Sequence, residues 1–152
     1  MIRIIEHQSK GYSLIELIVV LFLTSMIVSI GIASFRHPMA RYELSLTARQ
    51  IENDLDTSRQ QAMTNQQAWT VQFAPWNPRY SVWDGMKEVK TVVLPPGINY
   101  WDGYVGLNRY DVDFNYVGAT RSGGRITLVN SYGDRISIVV YPITGEISVS
   151  DY

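Results

Sequence analysis

An α+β fold, with a long N-terminal helix packed on an antiparallel β-sheet domain, is predicted by three observations. No residue is charged over positions 17–35, a run dominated by Leu, Ile, Val, Phe and Met. Apolar or small residues then recur at alternating spacings of four and three (Leu44, Ala48, Ile51, Leu55, Ser58, Ala62), which marks one stripe on a helix. Beyond Asn65 the period falls to two and β-branched and aromatic residues take over, as in strands.

The elements follow in order. Residues 1–11 form a short polar leader, 12–37 a membrane-length helix, 38–65 its amphipathic continuation and 66–152 the β domain. A helix over the uncharged run covers roughly 28 Å at about 1.5 Å per residue, close to the hydrocarbon thickness of a bilayer. Pro38 lacks an N–H and is expected to kink or interrupt the helix where its halves join. In the amphipathic half Arg49, Glu52, Asn53, Asp56 and Gln60 fill the polar side, and the weak Ala and Ser positions of the stripe favour packing on a sheet over a coiled-coil seam. Strands are predicted at 69–73, 79–83, 88–94, 111–117, 125–130, 135–141 and 146–150, separated by the turn sequences PWNP, DG, LPPG, SGG, SYGD and PITG. The last three strands follow one another as an antiparallel meander does, and a domain of roughly 85 residues buries a small independent core.

Composition narrows the function. The net charge of the 152 residues is −1 with the cations spread along the chain, so no large field for nucleic acid or anionic lipid is implied. Without cysteine there is no disulfide, Cys-metal site or thiol catalysis. Arg3 and Lys10 ahead of an apolar run suit a secretory signal, but the run exceeds the usual core of about 7–15 residues and lacks a small-x-small cleavage site, the nearest approach being GIASF. A membrane anchor is the better reading. Its orientation is left open, because Arg3 and Lys10 on one flank balance Arg36 and Arg41 on the other. Glu16 stands at the head of the run, where a carboxylate is costly unless paired and therefore marks a functional position. Ser25, Ser29 and Ala33 recur every fourth residue, a small-residue face on which another helix can pack closely.

Catalysis finds no support. The two histidines are His7, in the leader, and His37, read as a solvated residue flanking the membrane; the β domain has none from which to build a Ser/His/Asp set. The SGG sequence lies between strands rather than before a helix. Asp111, Asp113 and Asn115 hint at calcium, but Tyr116 stands where an EF-hand loop needs glycine. Val112, Phe114 and Tyr116 are expected to alternate on one face of a strand, leaving the acids on its wet face. Residues 69–116 hold all four tryptophans, and with Arg79, Lys87, Lys90 and Arg109 these could stack single-stranded DNA. Asp84, Glu88, Asp102, Asp111 and Asp113 cancel that charge, which favours aromatics used as core and cross-strand pairs.

The sequence GYSLIE directly before an apolar helix resembles the prepilin cleavage motif of type IV pilins and type II secretion pseudopilins. The resemblance implies that Gly11 ends a leader cut on the cytoplasmic face by a prepilin peptidase. Tyr12, usually Phe in the family, becomes the N-methylated N-terminus, and Glu16 becomes the glutamate at the fifth mature position. Residues 55–62, LPPGI and FNYVGATRSGGRITLVNSYGDRISIVVYPITGEISV are similar to the minor pseudopilin H group and related minor pilins. Gly145-Glu146 departs from the Gly-Arg often found at that turn, which counts against a basic function there. Implied are a pilin fold and a non-enzymatic minor pilin or pseudopilin, without cofactor or metal, of a type IV filament or type II secretion pseudopilus. Its partners would be other pilin or pseudopilin subunits, the prepilin peptidase, the inner-membrane assembly platform and, before assembly, membrane lipid. The chain would cross the cytoplasmic membrane once, β domain outside, before entering the filament. The alternative is a DNA-uptake or adhesion tip subunit that binds a ligand through its aromatic β domain; the charge balance argues against nucleic acid.

Co-expression with a prepilin peptidase is expected to remove residues 1–11 and leave Tyr12 first. Gly11→Leu is expected to block the cut, because a site shaped for a residue without Cβ must then admit a bulky branch. Intact-mass analysis reads both outcomes; a cut near Ala33, or none, overturns the leader assignment.

Overall fold

The helix α1 spans Leu14–Asn65. It belongs to a computed structural model that describes residues 13–107, 110–121 and 123–151, without the side chains of 29–34, 102–106 and 151. The Ser13 carbonyl accepts the Glu16 and Leu17 amides at 3.0 and 3.2 Å and so fixes the first turn. Ser13 and Glu16 have the Ser-x-x-Glu spacing of a capping box, which seats the carboxylate at the positive end of the helix dipole. Pro38 lies inside α1 and does not interrupt it, contrary to one of the two expectations for that position. Proline removes a single backbone donor, and the tertiary packing that begins at Leu44 holds the helix beyond it. The chain divides into two compact units, Met1–Arg36 and His37–Tyr152.

In the second unit the strands are β1 (Trp69–Ala74), β2 (Arg79–Asp84), β3 (Lys87–Val93), β4 (Asn99–Gly106), β5 (Asp111–Phe114), β6 (Gly124–Val129), β7 (Arg135–Val140) and β8 (Ile147–Asp151). They form two antiparallel four-stranded sheets, ordered β3-β2-β1-β5 and β4-β6-β7-β8. The β6-β7-β8 meander is as the sequence predicts. The division into two sheets is not, and neither is β4. Its Asp102-Gly103 pair has the composition of a turn yet lies within the strand, where the register with β6 shifts between Tyr100 and Val105. The first three strands pair consecutively, but β5 returns to the free edge of β1 after the chain has visited the other sheet.

Every position of the α1 stripe is buried: Leu44, Ala48, Ile51, Leu55 and Ala62 at 0% exposure and Ser58 at 1%. Thr47 joins them, and the two hydroxyls are satisfied within the helix, Thr47 Oγ1 donating to the Glu43 carbonyl (2.8 Å) and Ser58 Oγ to that of Asp54 (2.7 Å). One apolar cluster joins the stripe to Val71, Phe73, Val82, Val112 and Phe114 of the first sheet and to Ile126, Leu128, Ile136 and Ile138 of the second. Tyr116 is a correction to the predicted strand face: β5 ends at Phe114, and Tyr116 is exposed in the turn that follows.

At the C-terminal end of α1 the Arg59 Nε donates to the Gly118 carbonyl at 3.1 Å. Gly145, with φ of +66°, sits so close that a Cβ there would run into the same carbonyl oxygen. Ile51→Ala is expected to cost about 2–5 kcal/mol, the range for emptying a fully buried aliphatic position. Gly145→Ala is expected to destabilise as well, although it adds only a methyl group. Denaturant unfolding of the full chain in detergent measures both; a neutral Gly145→Ala would refute the close-approach account.

Candidate functional site

The first unit offers an apolar helical surface. Every residue from position 13 to 28 is exposed, including Phe22 at 68% and Ile27 at 71%. The exposed apolar side chains occupy consecutive positions from Leu17 to Leu23, so they surround the helix rather than line one side of it. Among the described residues no helix is long and apolar enough to cross a membrane. The uncharged run in the sequence extends to Phe35, itself exposed, and includes the side chains of 29–34 that lie outside the described residues. Thr24 Oγ1 donates to the carbonyls of Val20 and Leu21 at 2.8 and 3.0 Å, and Ser25 Oγ to that of Phe22 at 2.7 Å. These polar groups thereby present little unsatisfied hydrogen-bonding capacity to an apolar neighbour. Of the residues singled out in the sequence, Glu16 lies exposed in the first turn and Ser25 exposed on the helix. Gly11 and Tyr12, and the side chains of Ser29 and Ala33, lie outside the described residues.

Three polar ties hold the second unit around its part of α1. The Asp54 carboxylate accepts from Tyr80 Oη at 2.6 Å and from Lys90 Nζ at 2.8 Å, linking the helix to β2 and β3. Burial first, then the adjacent Asp54 carboxylate, pushes the Tyr80 hydroxyl well above the ordinary phenol range. The second tie is the Arg59–Gly118 bond at the far end of the helix. The third is His37, whose Nε2 lies 3.0 Å from Asp134 Oδ2 while its ring packs on Tyr132 with centroids 5.0 Å apart. His37 is therefore not the merely solvated residue that the sequence suggests, because its partners stand in the β6–β7 turn, Asp134 being 97 positions away. Asn130 shapes that turn: its Oδ1 accepts the amides of Tyr132 and Asp134, and its Nδ2 donates to Asp134 Oδ2 at 2.8 Å. The Asn130 amide is the main cause that holds the Asp134 carboxyl below the usual range; desolvation opposes it, and His37 and then Arg41 add to the lowering.

The other sequence candidates serve the fold. Asp113 accepts from Thr70 Oγ1 across β1 and β5, and Asn115 Oδ1 accepts the amides of Val117 and Ala119 at 3.0 Å, closing a turn. Of the aromatics considered for base stacking, Phe73, Tyr80 and Tyr100 pack together in the core and Trp69 is buried in β1. Trp76 is exposed in the β1–β2 turn, and Trp101 carries the guanidinium of Arg135 at 4.3 Å from its ring.

Comparison with known proteins bears on both units. Residues 7–32 match the prokaryotic N-terminal methylation motif. No curated protein matches the chain. Among solved structures, the minor pseudopilin EpsH from the type 2 secretion system of Vibrio cholerae superposes with a TM-score of 0.57 at 11% identity, covering 72% of this chain and 97% of that one. The type IV minor pilin FimU of Pseudomonas aeruginosa superposes with a TM-score of 0.53 at 14% identity, covering 72% and 90%. At such identities the likeness is one of fold.

The depressed Asp134 carboxyl makes a signed prediction. A carboxylate held below its unfolded value contributes stability that is present above that value, about 3.9, and is lost as pH falls through the folded one. Asp134→Asn is therefore expected to flatten the dependence of melting temperature on pH below about 4 while slightly lowering the melting temperature at neutral pH. An unchanged acid slope would refute the contribution.

Proposed function

We propose that the chain is a minor subunit of a type IV filament or type II secretion pseudopilus, a structural protein rather than an enzyme, on the support of its N-terminal methylation motif and its likeness in fold to a minor pseudopilin and a minor pilin. The observation that carries this reading is that the methylation motif, residues 7–32, overlaps the start of α1, whose described side chains to Val28 are apolar and exposed on all sides. Such a helix needs lipid or other helices around it. In the proposed course a prepilin peptidase cuts after Gly11 on the cytoplasmic side and the Tyr12 amine is methylated. The subunit then waits in the inner membrane with its β domain outside, and an assembly platform passes it into the filament. Exchange of lipid for neighbouring helices exposes little apolar surface to water, so the transfer is driven by packing, to which the small-residue face Ser25, Ser29 and Ala33 is suited.

Glu16 has the chemistry for assembly. Cleavage creates a positive amine at Tyr12, and in a staggered array the Glu16 carboxylate of one subunit meets the amine of another. In a low-dielectric setting each charge needs a partner, and each supplies the other's. Burial of Phe73, Tyr80 and Tyr100 supports a core role for those aromatics and ranks the DNA-uptake reading lower. Glu16→Gln is expected to insert and be cleaved normally yet enter filaments poorly, as read by cross-linking to partner subunits and by the amount recovered in sheared filaments. Equal recovery of mutant and wild type would sink the pairing role.

A further inference from the structure

We propose that the face of the β4-β6-β7-β8 sheet turned away from the core holds a carboxylate-binding site, built from Arg125 and Arg135 beside Trp101, which takes an acidic side chain of a neighbouring filament subunit. The alternation of the strands sets the two faces. Ile126, Leu128, Ile136 and Ile138 enter the core, so Arg125, Thr127 and Arg135 project to the other side. Trp101, Arg125, Thr127 and Arg135 line one open cleft of about 300 Å³, room for a carboxylate and its aliphatic stem. Its floor is neutral and closed: Thr127 and Ser137 are directly opposed in the β6–β7 register, both are buried, and their hydroxyls hydrogen-bond to each other at 2.8 Å.

The arginine geometry points to the ligand. Arg135 places its guanidinium carbon 4.3 Å from the centroid of the Trp101 ring. The indole holds the guanidinium by its charge, and the N–H donors of that group lie in its own plane, the direction from which a carboxylate is bound two-pronged. The indole thus holds the donor fork in place before a ligand arrives, which reduces the side-chain ordering that binding requires. A second guanidinium, that of Arg125, lines the same cleft.

Two features favour a protein acid over a nucleic-acid phosphate. Arg135 occupies one face of the Trp101 ring where a base would stack, and a chain with a net charge of −1 lacks the run of cations that tracks a phosphate backbone. The inference rests on the filament reading for the neighbour that supplies the acid.

Arg135→Lys in the full-length chain, expressed in cells together with its partner subunits, puts a primary amine at the site. Zero-length carbodiimide treatment of the isolated membranes and filaments then joins that amine only to a group in direct contact. Mass spectrometry is expected to find an amide bond from position 135 to an Asp or Glu of another subunit, absent in Arg135→Gln. The double variant Arg125→Gln/Arg135→Gln is expected to be cleaved and inserted normally but recovered in filaments about fivefold less, the scale of two partly exposed ion pairs. A link to an acid of the same chain alone, a phosphoramidate to an added 5′-phosphorylated single-stranded oligonucleotide, or no link with normal recovery would each overturn the proposal. Absence of the wild-type chain from filaments would instead overturn the filament reading, and the site's occupant with it.

Discussion

Burial of the α1 stripe is the constraint on which the globular unit depends. Leu44, Ala48, Ile51, Leu55, Ser58 and Ala62 lose essentially all contact with water, and they do so against side chains from both sheets. The apolar faces of the two sheets, Val71, Phe73, Val112 and Phe114 on one and Ile126, Leu128 and Ile138 on the other, meet in the same cluster as the stripe. At about 25 cal/mol per Å² of apolar surface, each large side chain removed from water contributes on the order of 1.5–3 kcal/mol, more than any polar contact at the surface of the unit. The small residues have a separate use, since Ala48, Ser58 and Ala62 let strands approach the helix where a larger residue would hold them off.

Polar contacts then fix what the apolar cluster leaves adjustable. A buried stripe specifies which side of the helix faces inward but leaves its position along the axis weakly determined. His37 with Asp134, Asp54 with Tyr80 and Lys90, and Arg59 with the Gly118 carbonyl stand near the start, the middle and the end of this part of α1. Each joins the helix to a different strand connection or sheet edge. Their energies are modest individually, but sliding the helix by one turn would break all three and carry Asp54 away from its donors Tyr80 and Lys90. The turns that receive these contacts are shaped by their own side chains, Asn130 for one and Asn115 for another, so the acceptors are held independently of the helix.

The first unit answers to a different solvent. Its described side chains are apolar all round and exposed, an arrangement that would be a liability in water and is suited to lipid or to a bundle of similar helices. A glutamate in the first turn costs least where the helix dipole is positive, and an N-terminal amine two residues before the helix starts would place a second positive charge nearby. In the proposed filament, the guanidinium site on the face of the second sheet turned from the core would set register through charge.

What the sequence by itself determined was whatever depends on local period and local chemistry. The stripe of α1 was legible residue by residue because a helix repeats every 3.6 residues, and all six positions read from that spacing are buried. The strands of the β6-β7-β8 meander were legible because alternation and turn residues lie within a few positions of each other. The methylation motif was legible because it is a contiguous run, residues 7–32, needing no fold to be recognised. The tertiary structure alone decided what depends on partners distant in the chain. Asp102-Gly103 became part of β4 because pairing with β6 overrode a local turn preference through a break in register. His37 acquired Asp134 across 97 residues, and Pro38 was carried inside a continuous helix. Arg125, Arg135 and Trp101 came to share one cleft because antiparallel pairing laid three separate strands side by side. The reason is the same in each case: propensity and period act within a turn or a strand pair, whereas long-range contacts are selected by the free energy of closing a whole core, which no single segment encodes.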